Sequence, residues 1–268
     1  MADLGYSKDS GVRLICKSAN RDPEGLERAV KALLAEHVDV IVATSQSAAE
    51  AVERQSRSVP LIARRNFTFV SSLSQPGVSS SGIFDCAYQL TAKRMELLRD
   101  ALPGLRRVAI LFRPGGTVRE NIVASERAAR RLSLEFVPVP ISAPSEIGPA
   151  FDRMVAAGVE AVFILPDLMI EDRIAAIAGL ASERKLPTMA WESRLVRQGI
   201  LMAYSCNADR AEERLASYVD KFLTGTPVGR LPIGQTTDFT FAVNQRIAAS
   251  LGVVFPPAVL LFADELVE

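Results

Sequence analysis

The chain is poor in the side chains on which most chemistry depends, with one histidine, three cysteines and one tryptophan in 268 residues. The histidine, His37, lies between a helix and a strand in AEHVDV and reads as a helix-end residue. A single imidazole excludes a His-rich metal site and all but excludes a His-dependent triad. Cys16, Cys86 and Cys206 are odd in number and lack metal-like spacing, so they read as small buried hydrophobes. Four tyrosines and one tryptophan are too few for base-stacking platforms. Charge of one sign is missing too. Lys+Arg and Asp+Glu stand at 31 each, which argues against nucleic acid or an anionic membrane surface as partner. No apolar run approaches the roughly 18 residues of a membrane span. The opening MADLGYSKDSG lacks a basic start, an apolar h-region and a small-residue cleavage site. As given, the chain is expected to carry no signal peptide and to stay in the cytoplasm. No Gly-x-Gly-x-x-Gly follows a strand and no P-loop is present, so a dinucleotide oxidoreductase is disfavoured and no cofactor is expected.

What is present is a regular alternation of strands and helices in a chain that is 49% hydrophobic. Strands are expected at residues 12–17 (VRLICK), 38–43, 60–63, 83–84, 108–112, 135–140, 161–165, 188–191, 199–204 and 239–243. Helices are expected at 22–36, 48–55, 88–102, 118–132, 145–157, 171–185, 193–198, 208–223 and 245–251. Residues 71–82 and 226–237 read as loops. The unit at 107–120, RVAILFRPGGTVRE, shows the pattern best. Five apolar residues make a strand buried on both faces, a Pro-Gly-Gly turn breaks it, and Thr117 can cap the next helix. The expected fold class is α/β, with two doubly wound parallel-sheet lobes and a ligand cleft between them.

In that architecture the loops after successive strands line the cleft, so candidate site residues come from strand ends. Thr44, Ser45 and Ser47 offer hydroxyls and N–H groups at a helix start, suited to a carboxylate or to plain N-capping. Arg64 and Arg65 are two guanidinium groups just past a buried strand, able to fork onto an acidic ligand. Gly115, Gly116 and Thr117 can offer backbone N–H groups, although a tight turn explains them as well. Asp167 can receive a ligand ammonium or cap the helix after it. Trp191 and Glu192 end a strand, where Trp191 can stack on a flat ligand or simply pack in the core. Tyr204, Ser205 and Asp209 lie where the chain crosses between lobes, as hinge residues or ligand contacts.

The most specific pattern is at the end. Residues 231–268 carry Pro232, Thr237 and Phe239, then Asn244, Ala248, Leu251 and Gly252, then Pro256, Pro257, Ala263, Asp264 and Glu265. This resembles the ending of a family of ABC-transporter substrate-binding proteins: a Pro-x-x-x-x-Thr-x-Phe strand, an Asn-x-x-x-Ala-x-x-Leu-Gly helix, a Pro-Pro turn and an Ala-Asp-Glu close. The family's AKRxELLRxLxP helix returns at 92–103 and its GxLMxY strand at 199–204. The resemblance implies two α/β lobes of the type I periplasmic-binding-protein kind, joined by crossing hinge strands. The expected division is 1–83 with 208–238, and 84–207 with 239–268. It also implies a small amino-acid-like or carboxylate solute, ABC permease and ATPase subunits as partners, a periplasmic or extracytoplasmic location, and no catalysis. Family members begin with an export signal and a first strand and helix. Here Leu4, Gly5 and Tyr6 look like the end of that helix, so a gap is expected beside the strand at 12–17.

Two other classes compete. A cofactor-independent racemase would use Cys86 and Cys206 as paired acid and base. A ligand-sensing regulator would share the fold but needs a DNA-binding module, and no helix-turn-helix precedes this chain.

Overall fold

The computed structural model describes residues 4–6, 11–19, 22–65, 67, 72–76, 79–84, 89–115, 118–235 and 237–268, without the side chains of Pro23, Ala208 and Asp209. The chain divides into two compact units, Met1–Cys86 with Asn207–Asp238, and Ala87–Cys206 with Phe239–Glu268.

The first unit is built on a parallel sheet in the order β1-β2-β3, formed by Ile41–Ala43, Leu61–Arg65 and Ser80–Phe84. Helix α1 (Pro23–Ala35) starts where Asp22 accepts hydrogen bonds from the N–H groups of Glu24 and Gly25. It ends at Glu36, and His37 follows in the left-handed region at φ 52°. Helix α2 (Gln46–Gln55) is capped by Ser45. Alternation along β2 divides its neighbours. Leu61 and Ala63 pack with Val30, Ala49 and Val52 of α1 and α2, while Ile62 packs with Leu215, Tyr218 and Val219 from the far end of the chain.

The strand expected at 12–17 does not form. Residues 12–19 belong to no sheet and Leu14 is 77% exposed. A β-prone segment gains from extending only where its backbone groups join a ladder, and residues 12–19 join none. Two other expectations shift. β2 runs on to Arg65, so Arg64 and Arg65 lie inside the strand rather than beyond it. β3 begins at Ser80, inside the stretch read as loop.

The second unit opens with α3 (Thr91–Ala101), β4 (Arg107–Phe112), α4 (Val118–Arg131), β5 (Glu135–Pro140) and α5 (Ile147–Ala156). β6 (Ala161–Ile164) and two short helices, α6 (Leu168–Asp172) and α7 (Ile174–Glu183), follow. The single helix expected at 171–185 is therefore broken at Arg173. β7 (Thr188–Ala190), a 3-10 segment at Ser193–Gln198 and β8 (Met202–Cys206) come next. Helix α8 (Ala208–Leu223) belongs to the first unit. β9 (Phe239–Asn244), α9 (Gln245–Leu251), α10 (Pro257–Phe262) and β10 (Glu265–Val267) complete the second.

The second sheet has the order β10-β9-β8-β7-β6-β4-β5. It is parallel, as the alternation of strands and helices led one to expect, except at the antiparallel pair β8–β9. β10 is unforeseen. Asp264 holds it in place, its backbone N–H donating to Phe241 O and its carboxylate accepting from Phe241 N at 2.7 Å. Phe151, Ile164, Ile177, Trp191 and Leu195 belong to the core on one face of this sheet.

The amino end of β4 is tied down by Glu160, whose carboxylate accepts from the N–H groups of Arg106 at 2.6 Å and Arg107 at 3.0 Å. The Arg106 N–H above all, with the Arg107 N–H and both arginine charges, lowers its pKa against a smaller opposing effect of burial. A lowered folded pKa stabilises the fold above the unfolded value of 4.5 and ceases to do so as pH falls through the folded value. Glu160→Gln is therefore expected to be less stable than the parent at pH 7. Because the group is exposed, the difference should stay under about 1 kcal/mol. It should shrink as pH falls below the ordinary carboxylate value and close as pH passes through the lowered folded one. Urea midpoints of the two proteins between pH 7 and 3 check this; a gap that does not shrink between those limits would contradict it.

Candidate functional site

In the first unit, the carboxyl end of the sheet gathers the residues expected from 44–65. Ser45 Oγ accepts from Ala48 N at 3.3 Å and lies 3.3 Å from Ser47 Oγ, while Thr44 is exposed. The two arginines part company. Strand alternation turns Arg65 to the α2 side, where it is buried and ion-paired with Glu53 at 2.6 Å, its guanidinium 5.9 Å from the Phe67 ring centre. Arg64 points the other way, half-buried. Its Nε is shielded from solvent with no hydrogen-bond acceptor, and among the described residues no carboxylate pairs with it. The expected pair of ligand-facing guanidiniums is thus one structural arginine and one uncompensated donor group.

In the second unit, Gly115 follows β4 with φ 125° and nothing near its Cβ position. Gly116 and Thr117 lie outside the described residues. Asp167 caps α6, accepting from Met169 N at 2.8 Å and Ile170 N at 3.2 Å, with Arg113 3.9 Å away. Trp191 is 5% exposed and packed in the core, leaving little of the ring for stacking. Glu192 is half-buried beside it. Tyr204 and Ser205 are buried within β8, which runs past the expected strand end at 204, and Ser205 Oγ accepts from Ser193 N at 3.2 Å. Burial, with Asp264 adding to it, raises the Tyr204 pKa. The side chain of Asp209 lies outside the described residues.

Cys206 is disulfide-bonded and Cys16 is a free, exposed thiol. The reading of the cysteines as buried hydrophobes therefore fails at both positions. Cys86 lies outside the described residues. A sulfur committed to a disulfide is no acid or base, which removes half of the racemase pair.

Among the buried polar residues not singled out from the sequence are Asn121 and Arg94. Asn121 is buried in the first turn of α4, heading a stripe with Ser125, Ala128 and Ala129. The i, i+4, i+7, i+8 spacing of that stripe was the available signal. Arg94 is buried on α3, in a stripe with Thr91, Leu97, Leu98 and Ala101.

The sequence profile of a family described as ABC transporter substrate binding protein matches residues 1–267. The chain belongs to that family. A tyrosine-binding protein of Clostridioides difficile (strain R20291) is 22% identical over 257 residues, covering 94% of this chain and 74% of its own. The crystal structure of a conserved domain protein from Vibrio cholerae O1 biovar El Tor superposes with a TM-score of 0.89. It is 20% identical, with 99% of this chain and 90% of that one covered. An ABC domain from Streptococcus pneumonia in complex with L-Trp gives 0.79 at 19% identity, covering 92% and 86%.

The substrate-binding family and the type I periplasmic-binding-protein fold are thus those expected from the chain's ending. Substrate-binding proteins of this kind are extracytoplasmic solute-binding components of ABC transporters, and the racemase and regulator readings are not favoured. Among the described residues no helix is long and apolar enough to cross a membrane.

Proposed function

We propose that this substrate-binding protein captures an amino acid, with aromatic amino acids as its first candidates, and passes it to an ABC permease and its ATPase without catalysis. The reading is carried by Arg64, a half-buried guanidinium whose Nε has no acceptor, at the carboxyl end of β2. A buried donor left unpaired costs about 1–3 kcal/mol, which an incoming carboxylate recovers. Ser45 and Ser47 open α2 beside the same strand ends, adding N–H dipoles favourable to an anion. The names of the tyrosine-binding relative and the tryptophan complex supply the aromatic candidates. The Cys206 disulfide fits residence in an oxidising, extracytoplasmic compartment.

Isothermal calorimetry with L-tyrosine, L-tryptophan and a panel of other amino acids and carboxylates tests the proposal. The parent is expected to bind at least one amino acid. Arg64→Ala should weaken that binding by about 2–3 kcal/mol, the range of hydrogen bonds to charged groups. Its thermal midpoint should hold or rise, because no partner in the fold is lost. Unchanged affinity in Arg64→Ala would overturn the anchor, and a parent that binds no amino acid would overturn the reading.

A further inference from the structure

The second unit buries a cation in a largely apolar helix face. Arg94 is 2% exposed, in a helix face that otherwise carries Met95, Leu97, Leu98 and Ala101. For packing alone a methionine or leucine would serve better, since removing a guanidinium from water is costly unless its donors are used. Two of them are used at one place. Nε donates to the Tyr204 carbonyl at 2.6 Å, and Nη2 donates to the Trp191 carbonyl at 3.2 Å.

These carbonyls sit where two neighbouring strands come apart. β7 and β8 pair through Met189↔Met202 and Ala190↔Ala203, and β7 then stops. β8 continues through Tyr204 and Ser205 to Cys206, paired among the described residues with β9 alone. Beyond Ala190 one strand leaves as Trp191 and Glu192 and the other runs straight on. Ser193 N, donating to Ser205 Oγ at 3.2 Å, ties the same two segments again further along the rim. In open α/β sheets the crevice outside the carboxyl ends of the strands is where ligands bind.

We propose that Arg94 is a positioning residue for ligand capture, a buried pin that fixes the divergence of β7 and β8 and thereby sets the rim formed by Trp191, Glu192 and Tyr204. The proposal rests on the amino-acid-binding reading above. Arg94 touches no ligand in this scheme; it acts through the two carbonyls. A fork of rigid, planar donors is suited to bridging two diverging acceptors, whereas a lysine ammonium at the same site reaches one of them at a time.

Trp191 is the sole tryptophan, so its fluorescence reports this rim without labelling. Arg94→Met and Arg94→Lys are made in the full chain. Acrylamide quenching of Trp191 is measured without ligand, and calorimetry follows binding of L-tyrosine or L-tryptophan. Met95→Ala, a cavity variant of a fully buried neighbour on the same helix, controls for simple loss of stability. Arg94→Met is expected to at least double the quenching constant and weaken binding by tenfold or more. Arg94→Lys should recover part of both, and Met95→Ala should leave both unchanged while lowering the thermal midpoint. A folded Arg94→Met with parental quenching and affinity overturns the proposal, as does a Met95→Ala that reproduces its changes. If Arg94→Met does not fold, Arg94→Lys decides on the same readouts, and failure of both to fold assigns the residue to folding alone. A parent that binds no amino acid, with quenching altered as expected, would sink the ligand reading and leave the pin in place.

Discussion

Gly82→Ala is expected to destabilise the first unit by about 3–5 kcal/mol, combining backbone strain with overpacking. Gly82 lies in β3 at φ 144°, a conformation that L residues rarely adopt. A Cβ there would stand 2.0 Å from Ala63 O and 2.6 Å from Ala63 N. Both are backbone atoms of the middle strand of a three-stranded sheet, so no side chain can swing away to make room. The same residue accepts a hydrogen bond from Gly234 N at 2.8 Å, and Phe84 N donates to Gly234 O at 2.8 Å, which stitches a later segment onto the open side of β3. Moving β3 to relieve the clash would break that stitch. The sole tryptophan belongs to the second unit and separates the two transitions. In Gly82→Ala the far-ultraviolet circular dichroism transition in urea should begin well before the Trp191 fluorescence transition. Coincident transitions at the parental midpoint would show that the sheet absorbs the methyl group, contrary to the argument.

Where a structural decision is local, the residues announced it. Asp22 before Pro23, Ser45 before α2, Asn207 before α8 and Asn244 before α9 are caps readable from a few neighbouring letters. Where the decision depends on pairing, the letters misled. Residues 199–201 look like the start of a strand because Ile200 and Leu201 are fully buried, yet the ladder with β7 begins only at Met202. Burial is a property of the core, and a strand is a property of its neighbours. The segment at 12–17 fails for the converse reason, having strand-like residues that pair with no strand.

The site was legible as chemistry and not as geometry. Two adjacent arginines at a strand end are visible in the sequence, but which one is spent on Glu53 follows from the parity of β2. That parity could be read only once the strand was known to include them. Arg94 was hidden differently: one charged letter in an apolar helix stripe looks like a tolerated intruder until the strands beneath it are seen to part. Cys206 shows the outer limit, because nothing in three scattered cysteines says which of them is oxidised.

Asn244→Ala is expected to cost about 2–4 kcal/mol, because one side chain satisfies a helix start and a buried carbonyl together. Asn244 is fully buried at the end of β9. Its Oδ1 accepts from Ile247 N at 2.9 Å to cap α9, and its Nδ2 donates to Val196 O at 3.0 Å. Alanine would orphan both partners where water does not reach. Asn244→Asp separates the two roles. The carboxylate keeps the cap but turns an acceptor toward the Val196 carbonyl, so the anion is disfavoured there by burial and by that repulsion, and its pKa should rise. On protonation the group regains a donor and the bond to Val196 returns. The sign therefore runs opposite to that of Glu160. Relative to the parent, Asn244→Asp should be least stable at pH 7 and should recover as pH falls through the raised pKa. Urea midpoints followed by Trp191 fluorescence at pH 7, 6 and 5 measure both variants. An Asn244→Ala within 1 kcal/mol of the parent would mean the cap and the carbonyl find other partners. An Asn244→Asp whose deficit does not shrink on acidification would mean that the contact with Val196 O contributes nothing.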